Sequence, residues 1–304
     1  MKLLITGDWH IDYNRPDKRL DENYLRSVLK KLNTLLESAK QMKCSLILQP
    51  GDFFNSHKAN DYLKRRMIVI LKRCGIKIVT VFGQHDLRFH SSDVRNTPLG
   101  VLQAAGVVQL APNWEPINLK DENVNIYGAS WFEDIPEKIY DPKVFNILIT
   151  HRMVLEEKIW DGQTDGVFGN KLLRTSPFDL IVSGDNHAHF TYKVGNRYLI
   201  NCGSMVRTRI DQYDHRPTYY IFDTETREIQ METIPIELPQ HVFDLTKAEA
   251  EKEENAVLIA FVERLKKNIK LEGLDFSKNI KTYMEENREE IDSGTNSILE
   301  EVLN

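Results

Sequence analysis

Five times along this chain a short apolar run ends directly in an acid, an amide or a histidine. Leu3-Leu4-Ile5 runs into Gly7-Asp8-Trp9-His10, and Leu46-Ile47-Leu48 into Pro50-Gly51-Asp52. Ile76 to Phe82 leads to Gly83-Gln84-His85-Asp86, Val144 to Thr150 to His151, and Asp179 to Ser183 to Gly184-Asp185-Asn186-His187. Apolar runs this short, several of them bounded by Gly, read as buried strands. Groups at their C-terminal ends project off the sheet edge, where open α/β sheets place their sites. One Gly-Asp after a strand is usually just a turn, and an isolated histidine is more often a surface or satisfied residue than a ligand. Five such ends in one chain are not explained that way. They require a fold that gathers the ends of these strands.

Helix patterns lie between the runs. Residues 21–42 place Leu25, Val28, Leu29, Leu32, Leu35 and Leu36 at helical spacing, and 60–73 do the same with Leu63, Met67, Ile70 and Leu71. The alternation predicts an α/β fold of βαβ units in layers. A short helix over 97–105 and strands over 107–110 and 124–128 follow, with later strands at Tyr198–Asn201, Thr218–Phe222 and Glu228–Ile234. Pro235 to Pro239 opens a linker over 236–245, which separates a domain at 1–235 from a small C-terminal helical region at 246–304. There Leu258, Phe261, Val262, Leu265 and Ile269 form one apolar stripe, ended by Gly273. Shorter helices follow with Phe276, Ile280, Tyr283 and Met284, and with Ile298, Leu299, Val302 and Leu303. Such helices either fold back on the domain or form an arm that lays its apolar face on a partner's helices.

Composition excludes several classes. Of 304 residues, 41% are hydrophobic and 28% charged, an ordinary balance for a globular chain with a core. No apolar run approaches the roughly 20 residues of a membrane span. The first site begins too close to the N-terminus for a secretory leader, so a cytoplasmic protein is expected. Three cysteines, Cys44, Cys74 and Cys202, are too few and too scattered for a disulfide framework or zinc knuckles. The net charge of −5 is uneven: from Asp244 onward there are 9 Lys/Arg against 15 Asp/Glu, whereas residues 1–243 carry 31 against 30. Binding to nucleic acid would therefore come from a local patch, metal ions or a partner, not from bulk charge.

A mixed set of carboxylates, imidazoles and an amide oxygen suits manganese, iron or magnesium. Two such ions about 3.5–4 Å apart clamp a phosphate ester for in-line attack, and a nearby imidazole can protonate the departing oxygen. Arg207 and Arg209, beside Gly203-Ser204, are candidates to grip phosphate, as are Arg88, His90 and Arg95 after the third signature. Trp9, between two candidate ligands, is read as packing.

Asp8-x-His10, Gly51-Asp52, Gly83-Gln84-His85-Asp86, His151 and Gly184-Asp185-Asn186-His187 together resemble the five signatures of the calcineurin-like metallophosphoesterases. Gly7-Asp8-Trp9-His10, Gly51-Asp52-Phe53-Phe54 and Asn201 to Arg207 look like the SbcD-type double-strand-break repair nucleases of that superfamily, with bacteriophage members the most similar. The resemblance covers roughly 1–235 and implies a layered metallophosphoesterase β-sandwich flanked by helices. It implies two divalent metal ions, manganese in the first place and magnesium as the alternative. One ion would take Asp8, His10, Asp52 and His187; the other would share Asp52 and take Gln84, His151 and Asp185. His85 would assist the leaving group, steadied by Asp86, or else serve only to support its neighbours. The resemblance further implies DNA as substrate, with 3′-to-5′ exonuclease and endonuclease activity. It also implies an SbcC-type coiled-coil ATPase held by the C-terminal helices, and a homodimer formed through the first helix region. Three positions depart from the pattern. Gln84 stands where Asn is usual and Asp185 where His is usual; another frame pairs His187 with His189 and leaves Asp185 out. Asn55 stands where the nucleases often place a DNA-contacting His. A phosphoprotein phosphatase or small phosphodiester hydrolase of the same superfamily is the alternative, and a separable helical arm is what such an enzyme would not need.

Overall fold

The computed structural model describes residues 1–88, 93–157, 166–244 and 246. The chain divides into two units, Met1–Leu245 and Thr246–Asn304; the arm expected over 246–304, its helices and its linker residue 245 fall outside the described residues, save Thr246. In the first unit the strands are β1 (Lys2–Ile5), β2 (Leu46–Gln49), β3 (Lys77–Thr80), β4 (Gln109–Leu110), β5 (Ile117–Leu119), β6 (Val124–Ala129) and β7 (Phe145–Thr150). They continue as β8 (Val154–Leu155), β9 (Val167–Phe168), β10 (Leu180–Ser183), β11 (Phe190–Val194), β12 (Arg197–Asn201), β13 (Thr218–Asp223) and β14 (Ile229–Thr233). Four α-helices stand among the described residues: α1 (Tyr24–Gln41), α2 (Asp61–Cys74), α3 (Pro98–Ala104) and α4 (Gly169–Thr175).

Two six-stranded mixed sheets result, ordered β14-β13-β1-β2-β3-β4 and β11-β12-β10-β7-β6-β5. β1 to β4 run parallel in the first sheet, and β6, β7, β10 and β12 run parallel in the second, with antiparallel strands only towards the edges. Successive strand side chains face opposite ways, and both faces of the central strands are covered. Leu3 and Ile5 of β1, with Leu48, Val79, Ile147 and Val182, fill the space between the sheets. Leu4, Ile47 and Ile78 turn the other way, onto Val28, Leu32 and Leu35 of α1 and Met67 of α2. On the outer face of the second sheet Leu148, Ile181 and Leu199 pack with Leu172 and Leu173 of α4. Burial on both faces is why these strands read as continuous apolar runs rather than alternating ones.

The helices start and stop where local chemistry dictates. Asn23 accepts from the Arg26 amide and Asn60 from the Leu63 amide, so both helices begin just after an N-cap asparagine. Gly75 ends α2 at φ 72°, the left-handed value that favours glycine. Residues 236–244, read as linker, are instead partly bound to the first unit. Phe243 is 1% exposed and Val242 4%; the Leu20 amide donates to the Val242 carbonyl and the Asp244 amide to that of Lys18.

Candidate metal centre

All five signature loops leave the carboxyl ends of parallel strands: β1, β2 and β3 in one sheet, β7 and β10 in the other. The ends are drawn together by main-chain bonds between the loops. Asp8 forms an isolated parallel bridge with Ser204 and Ile11 one with Phe54. The Trp9 and His10 amides both donate to the Asp52 carbonyl. Gln49, wholly buried, bonds with both the carbonyl and the amide of Gly51.

At the centre stands Asp52. Its Oδ2 lies 3.4 Å from His151 Nε2, 3.8 Å from His10 Nε2 and 3.9 Å from His85 Nε2, while its Oδ1 accepts the His85 amide at 2.9 Å. His187 Nε2 is 3.0 Å from His10 Nε2 and 3.7 Å from Asp8 Oδ2. Three overlapping groups thus hold possible ligand atoms within 4.8 Å of one another: Asp8 with His10 and His187, His10 with Asp52 and His85, and Asp8 with Asp52 and His151. Asp185 donates its amide to Asp8 Oδ2 at 3.0 Å and takes the Gln84 Nε2 on its Oδ1 at 2.8 Å. That leaves the Gln84 Oε1 buried with no partner. His189, the other candidate for a His-x-His pair, is exposed and stands beside the His215 ring instead.

These residues fit a pair of cations. Nine buried side-chain polar atoms lack a hydrogen-bond partner among the described residues, and five belong here: Asp8 Oδ1, His10 Nδ1, Asp52 Oδ2, Gln84 Oε1 and His151 Nε2. Orphaned buried polar atoms cost about 1–3 kcal/mol each, so a cluster of them marks a site built to receive something. His151 donates Nδ1–H to the Pro50 carbonyl at 2.6 Å, which leaves Nε2 turned towards Asp52. Backbone strain is concentrated at the same residues. Of six non-glycine residues at positive φ among the described residues, three are His10 (44°), Asp52 (47°) and Asp185 (70°). The preceding glycines are needed because the ligands converge: a Cβ on Gly83 would collide with Asp52 Oδ1, and one on Gly184 would stand 2.5 Å from Asp8 Oδ1.

Charges without a cation are poorly accommodated. Burial pushes Asp8 well above the ordinary carboxylate range, offset in part by His151. Burial likewise lowers His10 to about 3 and brings His187 down. His151 goes the other way: burial opposes its charge, yet Asp52, Asp8 and Asp185 raise it to about 10. Asp52, despite its burial, is held below the usual range by His151, His10 and His85. In the metal-free protein His151 and Asp52 are therefore an ion pair.

Two sequence expectations need correction. Arg207 does not face substrate: it is 1% exposed, donating to the Tyr213 and Glu237 carbonyls. Asp86 does not touch the His85 ring. Its carboxylate takes the amides of Phe53, Phe54 and Gly83, binding two signature loops together, and burial raises it to about 7. The His85 ring is steadied by the Asn55 carbonyl, 3.1 Å from Nδ1. Asn55 itself spends its side-chain amide on Asp12. Arg209 is 74% exposed beside Asp211, Arg95 pairs with Asp93, and Arg88 is exposed; His90 lies outside the described residues. Trp9 is wholly buried, donating to Thr6 Oγ1 and packed on Phe53. Sequence reading missed Gln49, Pro50 and Gln212, whose parts rest on contacts with distant loops that local pattern does not carry.

None of the curated proteins matches the chain. Among solved structures, an archaeal phosphodiesterase is similar over 77% of this chain and 99% of its own, at 14% identity and a TM-score of 0.43. A dimetal phosphatase from Danio rerio is similar over 77% of this chain and 99% of its own, at 11% identity and a TM-score of 0.46. The family model described as calcineurin-like phosphoesterase matches residues 1–189, which hold every one of the five signatures. The chain belongs to the calcineurin-like phosphoesterases.

Proposed function

We propose that this phosphoesterase is a two-metal DNA phosphodiesterase, a 3′-to-5′ exonuclease and endonuclease acting as one subunit of a repair or recombination complex. The observation that carries the hydrolytic reading is Asp52 Oδ2, buried and without a hydrogen bond, with His10, His151 and His85 within 3.9 Å of it. Asp8, His10, Asp52 and His187 would hold one ion, and Asp52, Gln84, His151 and Asp185 the other. The bound pair supplies a hydroxide at neutral pH and neutralises charge developing on the phosphoryl oxygens. An oxygen donor at Asp185 in place of an imidazole favours harder ions, manganese or magnesium.

His85 stands at the open side of this cluster, its side chain 44% exposed. Its Nδ1–H is directed to the Asn55 carbonyl, so in the imidazolium form Nε2–H is free to protonate the departing oxygen. Its amide donates to Asp52, so the acid and the carboxylate that would be shared by the two ions keep a constant relation. Asp86 contributes at one remove, holding the 53–54 and 83 backbones in place. The DNA reading is supported by the likeness of Gly7-Asp8-Trp9-His10, Gly51-Asp52-Phe53-Phe54 and Asn201 to Arg207 to the SbcD-type nucleases. The amphipathic helices read at 246–304 support a coiled-coil ATPase of the SbcC type as partner.

The test is direct. Pure protein with manganese is offered duplex DNA, single-stranded DNA and a phosphopeptide. Release of nucleotides from DNA is expected; phosphopeptide hydrolysis with intact DNA would overturn the nuclease reading in favour of a phosphatase.

A further inference from the structure

His187 makes a contact that hydrolysis does not require. Its Nδ1 lies 3.2 Å from the amide nitrogen, Nε2, of Gln212. An amide nitrogen only donates, so Nδ1 of the ring is the acceptor. The amide cannot be turned over. Its Oε1 takes the backbone N–H groups of Thr208 at 2.6 Å and Arg209 at 3.0 Å. Its nitrogen also donates to Ser204 Oγ at 2.9 Å, and that hydroxyl donates onward to the Val206 carbonyl at 2.8 Å. Reversal would set an NH2 group against two backbone donors, and at 7% exposure Gln212 has little water to compensate.

A neutral imidazole that accepts at Nδ1 carries its proton on Nε2. Nε2 is the nitrogen turned towards Asp8 and His10, and at 3.0 Å it has His10 Nε2 as its acceptor. The lone pair that a cation would need from His187 is thus covered by a proton. We propose that Gln212 is a positioning residue that holds His187 as the Nε2–H tautomer in the metal-free chain, so that cation uptake at the Asp8–His10–His187 corner has first to displace that proton. Uptake at the hindered corner moves the ring proton, lost from Nε2 to solvent and regained at Nδ1, with no net change in charge. The protonated Nδ1 then repels the Gln212 donor, and the contact breaks. This inference rests on the reading of His187 as a ligand.

Two measurements on the full chain test it. In chelator, long-range proton–nitrogen spectra, with the His187 signals identified by their loss in His187→Ala, report which ring nitrogen carries hydrogen. Nε2 is expected; Nδ1 overturns the proposal. Calorimetric titration with manganese then compares the parent with Gln212→Glu and Gln212→Met, each checked for an unchanged far-ultraviolet spectrum. A carboxylate at 212 accepts from Nδ1–H and frees Nε2, as carboxylate partners of metal-bound histidines do, so the manganese whose binding His187→Ala weakens should bind about tenfold tighter. Gln212→Met removes the donor without adding an acceptor and should give a smaller gain. Unchanged affinity in both variants overturns the proposal. If His187→Ala still binds two manganese ions with parent affinity, the ligand reading itself fails, whatever tautomer the parent shows.

Discussion

Asp52 illustrates how one residue can be written into a fold. It sits at φ 47° with no exposed surface, its backbone carbonyl takes the Trp9 and His10 amides, and its carboxylate faces three imidazoles. Asp52→Ala should abolish hydrolysis and reduce bound manganese, measured by elemental analysis, because both ions of the proposed pair would lose the ligand they share. His85→Ala should behave differently. The backbone amide that contacts Asp52 survives the substitution, so manganese should remain while turnover falls by about 10²–10⁴. A parallel loss of metal would show that His85 is a ligand and not an acid. These residues were legible because each follows an apolar run at once, and the run and the ligand are read together. Asp86 was legible as present but not in its part. A carboxylate next to a candidate acid suggests support of that acid, whereas its true partners, the Phe53 and Phe54 amides, come from a loop some thirty residues earlier.

At the scale of elements, the central strands were readable because both faces are buried and the whole run is apolar. β11 was not, yet its Phe190, Tyr192 and Val194 alternate with Thr191 and Lys193, and Gly195-Asn196 follows as a two-residue turn, a legible hairpin signal once sought. The two-residue β8 and β9 carry too few residues for any period to emerge. Arg207 was misread for a related reason. An arginine beside Gly203-Ser204 looks like a phosphate clamp, and only the folded chain brings it to the Glu237 carbonyl and under the Phe243 ring. There it ties the 207–213 turn, which carries Gln212, to the 236–244 segment, while Arg19 donates to its carbonyl at 2.7 Å. Arg207→Ala should therefore act on stability and not selectively on substrate affinity. Two part-buried carbonyls lose their donor, and a loss of about 1–3 kcal/mol in chemical denaturation is expected. A fully stable variant with raised KM for DNA would restore the phosphate-binding reading.

Over the whole molecule, the buried charges make metal and proton alternatives. His151 is raised to about 10, so in chelator its contribution to stability is fully present below its ordinary value of 6.5 and is lost as pH climbs through 10. Asp52 is depressed and keeps its contribution throughout that window, since it is lost only on acidification. Denaturation midpoints without metal should thus fall from pH 7 to pH 10. Saturating manganese, which needs His151 neutral, should remove or reverse the slope; identical slopes with and without metal would refute the ion pair. The same view decides where the chain can be cut. If the helices read at 246–304 serve a partner ATPase, ending the chain after Asp244 should spare cation uptake and cleavage of single-stranded DNA while abolishing co-purification with that partner. Ending it after Pro235, at the boundary composition suggested, should do far more damage. It removes Phe243, 1% exposed, together with the Glu237 carbonyl that receives Arg207, and loss of a buried phenylalanine alone costs about 3–5 kcal/mol. Denaturation of the two truncations separates the cases: the longer should match the parent's first unit and the shorter should unfold well below it. Equal midpoints would mean that the 236–244 segment is the loose tether its sequence suggests, and retained association after the cut at 244 would remove the arm from the partner interface.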